Sequence, residues 1–261
     1  MTLDLIATGT LASFLAGQAT TIGALPVFFM RSISQRTQNI FLGFAAGIML
    51  AASFFSLIIP GLDAAGELHG GNKTIAALIV GTAILLGAST LHVLNRVAPH
   101  EHFISGPMSG AEKSKLARIW LFVIAISLHN FPEGLAVGVS FGSPDHTAGF
   151  ATAFGIGLQN VPEGLAVALS LAAVGYGRLF SFVVAVLTGL IEPVGGFLGI
   201  SAISLSSELL PWGLGFAGGA MIWVVSSEII PETHRNQQEG TATFALMVGL
   251  AVMMSLDWIF G

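Results

Sequence analysis

The chain has no cysteine, which excludes disulfides, thiolate metal sites and redox chemistry through sulfur. Charge is nearly as scarce: Lys, Arg, Asp and Glu supply 9% of the 261 residues, whereas 54% are hydrophobic. So few charged side chains cannot clothe a soluble domain of this length. A net charge of −5, dispersed along the chain, does not suit a nucleic-acid partner. The opening Met1-Thr2-Leu3-Asp4 lacks the basic leader of a cleavable signal peptide, so a retained first helix is expected. What the chain does have is 33 glycines scattered through apolar runs and a mean hydropathy of +0.84. These are the marks of a membrane protein.

Crossing a hydrocarbon core takes about 20 helical residues. Stretches of that kind fall at about 5–30, 38–60, 73–94, 118–141, 147–172, 177–204, 208–230 and 241–259. The expectation is an all-α polytopic membrane protein with eight transmembrane helices, forming a single transmembrane domain over residues 1–261. With both ends on one side, Arg31, Arg36, Arg96, Lys113, Lys115, Arg118, Arg178 and Arg235 share one set of loops, and Lys73 stands alone in the other. Positive charge stays inside. Both termini are therefore expected outside the plasma (inner) membrane, and the long connection over about 95–117 in the cytoplasm. That loop carries His100 and His102 around Glu101; two imidazoles there are either weak metal ligands or solvated side chains. Asp63, Glu67, His69, Asp145, His146 and Glu208 fall in the external loops, as a rim that draws in cations or as ordinary solvated residues.

The most informative residues lie inside the apolar runs. His129-Asn130-Phe131-Pro132-Glu133-Gly134 and Gln159-Asn160-Val161-Pro162-Glu163-Gly164 are near-copies, each followed by Leu-Ala-Val. Both glutamates sit about 15 residues into their spans, roughly 22 Å along the helix, so the motifs meet at mid-membrane from opposite directions. Residues four apart share a helix face, which brings His129 to Glu133 and Gln159 to Glu163, with Asn130 and Asn160 flanking. Each proline removes an amide donor and frees a carbonyl one turn back, those of Leu128 and Leu158. Glu192-Pro193 places a third carboxylate in the next span. Each ionisable group at the bilayer centre costs about 2.5–3.5 kcal/mol, and no Lys or Arg lies at that depth. Three such acids must be partly protonated, wet, or paired with a cation. One imidazole with carboxylate and amide oxygens suits Zn, Cd, Mn, Fe(II) or Co better than Cu(I). For Gln159 and Asn160 taken singly, interhelical packing is the plain alternative. Glu228, Glu232 and His234 stand near the inner end of the seventh span, as an exit path or as interfacial charges.

A second internal similarity points the same way. Phe44-Ala45-Ala46-Gly47-Ile48-Met49, ending in Ile58-Ile59-Pro60, is echoed by Phe216-Ala217-Gly218-Gly219-Ala220-Met221 and Ile229-Ile230-Pro231. The two helices are antiparallel in the expected topology, as in the inverted repeats of transporters.

The paired hexapeptides, Glu192-Pro193, eight spans and a histidine-bearing loop together resemble the ZIP divalent-metal transporters of the bacterial GufA-like branch, over nearly the whole chain. The resemblance implies a 3+2+3 arrangement with inverted outer repeats, and a homodimer. It implies a primary metal site of His129, Glu133, Gln159 and Glu163, and an adjacent one of Asn130, Glu133, Asn160, Glu163 and Glu192, bridged by the shared glutamates. Relatives commonly carry aspartate or histidine where this chain has Asn160; the missing charge weakens the adjacent site. The expected function is transport of a divalent transition metal into the cytoplasm, zinc foremost. Zn2+ or Cd2+ would be cargo, with no cofactor, and metal loading would release protons. Two rivals use the same residues. An intramembrane zinc hydrolase would need more histidines and an open coordination position, and the chain has no His-Glu-x-x-His motif. A proton or sodium translocator would use His129 as a relay.

Overall fold

A computed structural model describes residues 3–30, 34–97, 110–142, 146–233 and 239–260. His100, His102 and His234 lie outside the described residues. All regular structure among the described residues is helical, as it must be for open chain in oil, where a helix satisfies its own backbone. Among the described residues, eight rods follow in chain order. The first runs Leu3–Ala24 and closes in a 3-10 turn at Leu25–Phe28, where Pro26 ends the helix. The second spans Gln35–Leu68, the third Lys73–Val97, the fourth Gly110–Ser140 and the fifth His146–Ala173. The sixth, Arg178–Leu205, breaks between Gly189 and Glu192; the seventh spans Ser207–Thr233 and the eighth Glu239–Phe260.

Among the described residues, seven rods are long and apolar enough to cross a membrane. Their outward faces carry Leu85, Phe154, Leu187 and Phe244, all exposed, which only lipid would favour in such numbers. The chain is an all-α, multi-pass integral membrane protein.

Prolines shape the rods where they matter. The second and seventh each contain a wide π turn, Ala52–Ile58 and Val225–Ile229, immediately before Ile59-Pro60 and Ile230-Pro231. A proline has no amide to give the turn behind it, and widening that turn is one way to absorb the mismatch. Glu192-Pro193 opens the second half of the sixth rod in the same manner, with proline in its first turn.

Packing divides the rods into two sets. The first packs on the fifth and the fourth on the sixth, with the first and sixth also in contact; the second packs on the eighth and the third on the seventh. Small residues let the backbones touch. The site where Gly47 would carry a side chain is filled by the Leu246 carbonyl, and Gly219 meets the Ile84 carbonyl in the same way. Gly164 abuts the Thr20 carbonyl and Gly134 that of Glu192. Exchanging first with sixth, second with seventh, third with eighth and fourth with fifth maps each of these contacts onto its partner. Between the two sets the fit is looser. An apolar groove of about 660 Å3, lined by Phe41, Phe44, Leu158, Pro162, Phe244 and Val248 among others, opens between the second, fifth and eighth rods.

Candidate metal centre

The centre is assembled by the first, fourth, fifth and sixth rods, with one contribution from the seventh. His129, Asn130, Glu133, Gln159, Asn160, Glu163 and Glu192 are all buried, none more than 2% exposed. The fourth and fifth rods continue as helices through Pro132 and Pro162, so each glutamate stays on the inward face set by its helical period.

Two amides organise the acids. The Gln159 amide nitrogen donates to Glu133 Oε1 at 2.5 Å, and the Asn160 amide nitrogen donates to Glu192 Oε1 at 2.7 Å and to the Ala16 carbonyl at 2.9 Å. Each amide spends its NH2 on a carboxylate, which leaves its oxygen available. Neither Gln159 Oε1 nor Asn160 Oδ1 has a hydrogen-bond partner; the same is true of Glu133 Oε2, Glu192 Oε2, both oxygens of Glu163 and both polar atoms of the Asn130 side chain. Nearly all of these are acceptors, and an ionised carboxylate can only accept. Buried acceptors in native proteins are normally satisfied. Glu163 and Glu192 also lie near enough to Glu133 for their charges to repel, and no Lys or Arg is among the buried polar residues described. The deficit is one of positive charge.

The arrangement is not a closed cage. Among the described residues, no three His, Asp or Glu side chains gather tightly enough to enclose one ion by themselves, so amide oxygens must complete any coordination shell. His129 is drawn aside: its Nε2 lies 3.1 Å from Glu228 Oε2, close enough to pair as ions but not aligned as a hydrogen bond. The sequence pointed to Glu228 as an exit residue. In the fold it reaches the imidazole of the motif itself, because it sits in the π turn of the seventh rod, where the extra residue shifts the facing. Glu232 follows in the last turn of that rod, partly buried. The Ala16 carbonyl, held by Asn160, gives no signal in sequence, since every residue has one.

Residues 104–257 match the pattern of the ZIP zinc transporter family. The chain is 47% identical to zinc transporter GufA of Myxococcus xanthus over 97% of its own length and 99% of that protein. This chain belongs to the ZIP family. Other ZIP relatives include zinc transporter ZIPB of Bordetella bronchiseptica, 50% identical over 93% of this chain and 78% of that protein, and zinc transporter ZupT of Chlorobaculum parvum, 34% identical over 92% and 93%. Membership in a family of transporters sets the intramembrane hydrolase aside.

Proposed function

We propose that this ZIP protein carries divalent transition-metal ions, zinc foremost, across the plasma membrane into the cytoplasm through the buried centre described above. The single observation behind the assignment is the set of unclaimed acceptors on Glu133, Glu163, Glu192, Gln159 and Asn160 in a place with no buried Lys or Arg among the described residues. A dication supplies what they lack. Without one, each carboxylate costs about 2.5–3.5 kcal/mol at that depth.

In this reading Glu133 and Glu163 hold the ion between the fourth and fifth rods, and the oxygen of Gln159 joins them. His129 completes the shell when it leaves Glu228, so the ion and Glu228 compete for one imidazole. Asn160 and Glu192 satisfy each other in part, which leaves them a supporting role and favours one ion at a time. Asn130 lines the opposite side. Glu228 then receives the ion on its way to Glu232, His234 and the loop with His100 and His102.

Eight spans in a 3+2+3 arrangement accommodate the exchange of contacts found between rods, with the fourth and fifth as the central pair. The bias of basic residues supports external termini. The looser seam between the two rod sets is where relative motion would expose the centre to either side in turn. A homodimer in the membrane is the working assembly we favour, testable by cross-linking in native membranes.

Zinc flux into proteoliposomes decides the reading. The wild-type protein should move zinc, and Glu163→Ala should reduce flux by at least about 100-fold. Undiminished flux in the variant would refute the assignment, and proton or sodium flux without zinc flux would transfer it to the rival translocator.

A further inference from the structure

The first rod contains Gly17-Gln18-Ala19-Thr20-Thr21-Ile22-Gly23, and the sixth contains Gly189-Leu190-Ile191-Glu192-Pro193-Val194-Gly195. The two segments are counterparts in three dimensions. Gly17 and Gly189 meet backbone to backbone; Gly23 abuts the Val161 carbonyl as Gly195 abuts that of Phe131; Gly164 abuts Thr20 as Gly134 abuts Glu192. Even the side chains match: the carboxyl carbon of Glu192 lies 3.3 Å from the Cβ position of Gly17, and the Thr20 hydroxyl lies 3.0 Å from that of Gly189. Thr20 occupies, on one half of the centre, the place that Glu192 holds on the other.

The hydroxyl of Thr20 is also out of character for this fold. Thr8, Thr10, Thr82, Thr90 and Thr152 each turn their hydroxyl back onto the carbonyl four residues earlier, the usual resting place for a threonine in a helix. For Thr20 that carbonyl belongs to Ala16, and it accepts instead from Asn160. Thr20 is fully buried and its hydroxyl has no partner. The counterpart of Asn160 in the other motif is Asn130, and both polar atoms of the Asn130 amide are likewise buried and unpartnered. Where Asn160 and Glu192 bond directly, their counterparts under this exchange, Asn130 and Thr20, leave two hydrogen-bonding groups idle.

We infer that Thr20 is a further ligand-bearing residue of the metal centre, whose hydroxyl oxygen, with the Asn130 oxygen, receives the ion directly or through a water the ion retains. The inference rests on the transport reading above. It makes the centre lopsided by design: an acid on the sixth-rod side and a neutral oxygen on the first-rod side, which limits the negative charge offered to a single dication. A buried idle hydroxyl at the position matching Glu192 is stable once it has a cation or its water to bind.

Equilibrium zinc binding to the purified full chain in nanodiscs, paired with zinc flux, tests this. Wild-type flux comes first, because its absence would sink the transport reading and not the role of Thr20. Thr20→Val keeps shape and removes the hydroxyl; zinc affinity should fall about tenfold or more, with flux at low zinc falling in step. Thr20→Ser restores the oxygen and should bind within about threefold of wild type. If Val and wild type bind alike, or if Ser is as weak as Val, the hydroxyl is not a ligand and the inference is overturned. Should Thr20→Val fail to fold, Thr20→Ala against Thr20→Ser gives the same contrast.

Discussion

The two hexapeptide motifs share a backbone path, a proline and a glutamate, and differ in what their first two residues find. In the fifth rod, Gln159 and Asn160 both donate to carboxylates, so that half is tied to the first, fourth and sixth rods. In the fourth rod, Asn130 has no partner and His129 leans across to Glu228 on the other rod set. One half is braced and the other is poised. The lesson is that a duplicated motif need not be a duplicated function: the braced copy fixes where the acids stand, and the poised copy supplies ligands that are free to change partners.

Removing an acid from the shared pair should break both halves. Glu133→Ala takes away the carboxylate that Gln159 holds and leaves a buried amide without its acceptor, so zinc flux should drop at least about 100-fold, with a stability loss of about 1–3 kcal/mol read by thermal unfolding in detergent. Glu192→Gln attacks the braced half alone. Asn160 can still donate to the new amide oxygen, and flux should fall only about tenfold; a loss equal to that of Glu133→Ala would erase the distinction between bridging and supporting acids. Asn160→Asp converts the brace into a fourth charge, and titration calorimetry should then report two zinc ions per chain where wild type binds one. The smallest effect belongs to the poised half. Glu228→Gln weakens the competitor for His129, so zinc affinity should rise severalfold, on the order of 1 kcal/mol, while release slows; unchanged affinity would show that the His129 contact is incidental.

Much of this was legible in the residues because oil imposes few choices. Long apolar runs become helices, and a polar hexapeptide within one must turn inward, so all seven expected centre residues are found buried. The pairing within the centre was less accessible. Periodicity joined His129 to Glu133 on one face, yet the imidazole prefers Glu228, because the π turn at Val225–Ile229 shifts that glutamate's facing and no hydropathy pattern announces a widened turn. The sixth span was expected as one run over about 177–204, and the helix instead breaks between Gly189 and Glu192, just before Pro193. Thr20 gives no signal in the sequence, since a threonine in an apolar helix ordinarily satisfies itself; only the loss of the Ala16 carbonyl to Asn160 makes it unusual, and that contact joins residues far apart in the chain.

Anomalous diffraction at the zinc edge, from crystals of the zinc-loaded protein, tests the central claim most directly. The account expects one peak between the carboxylates of Glu133 and Glu163, at about 2.0–2.2 Å from an oxygen of each. A zinc-loaded crystal with no density between those two acids, and its ion bound elsewhere, would contradict it.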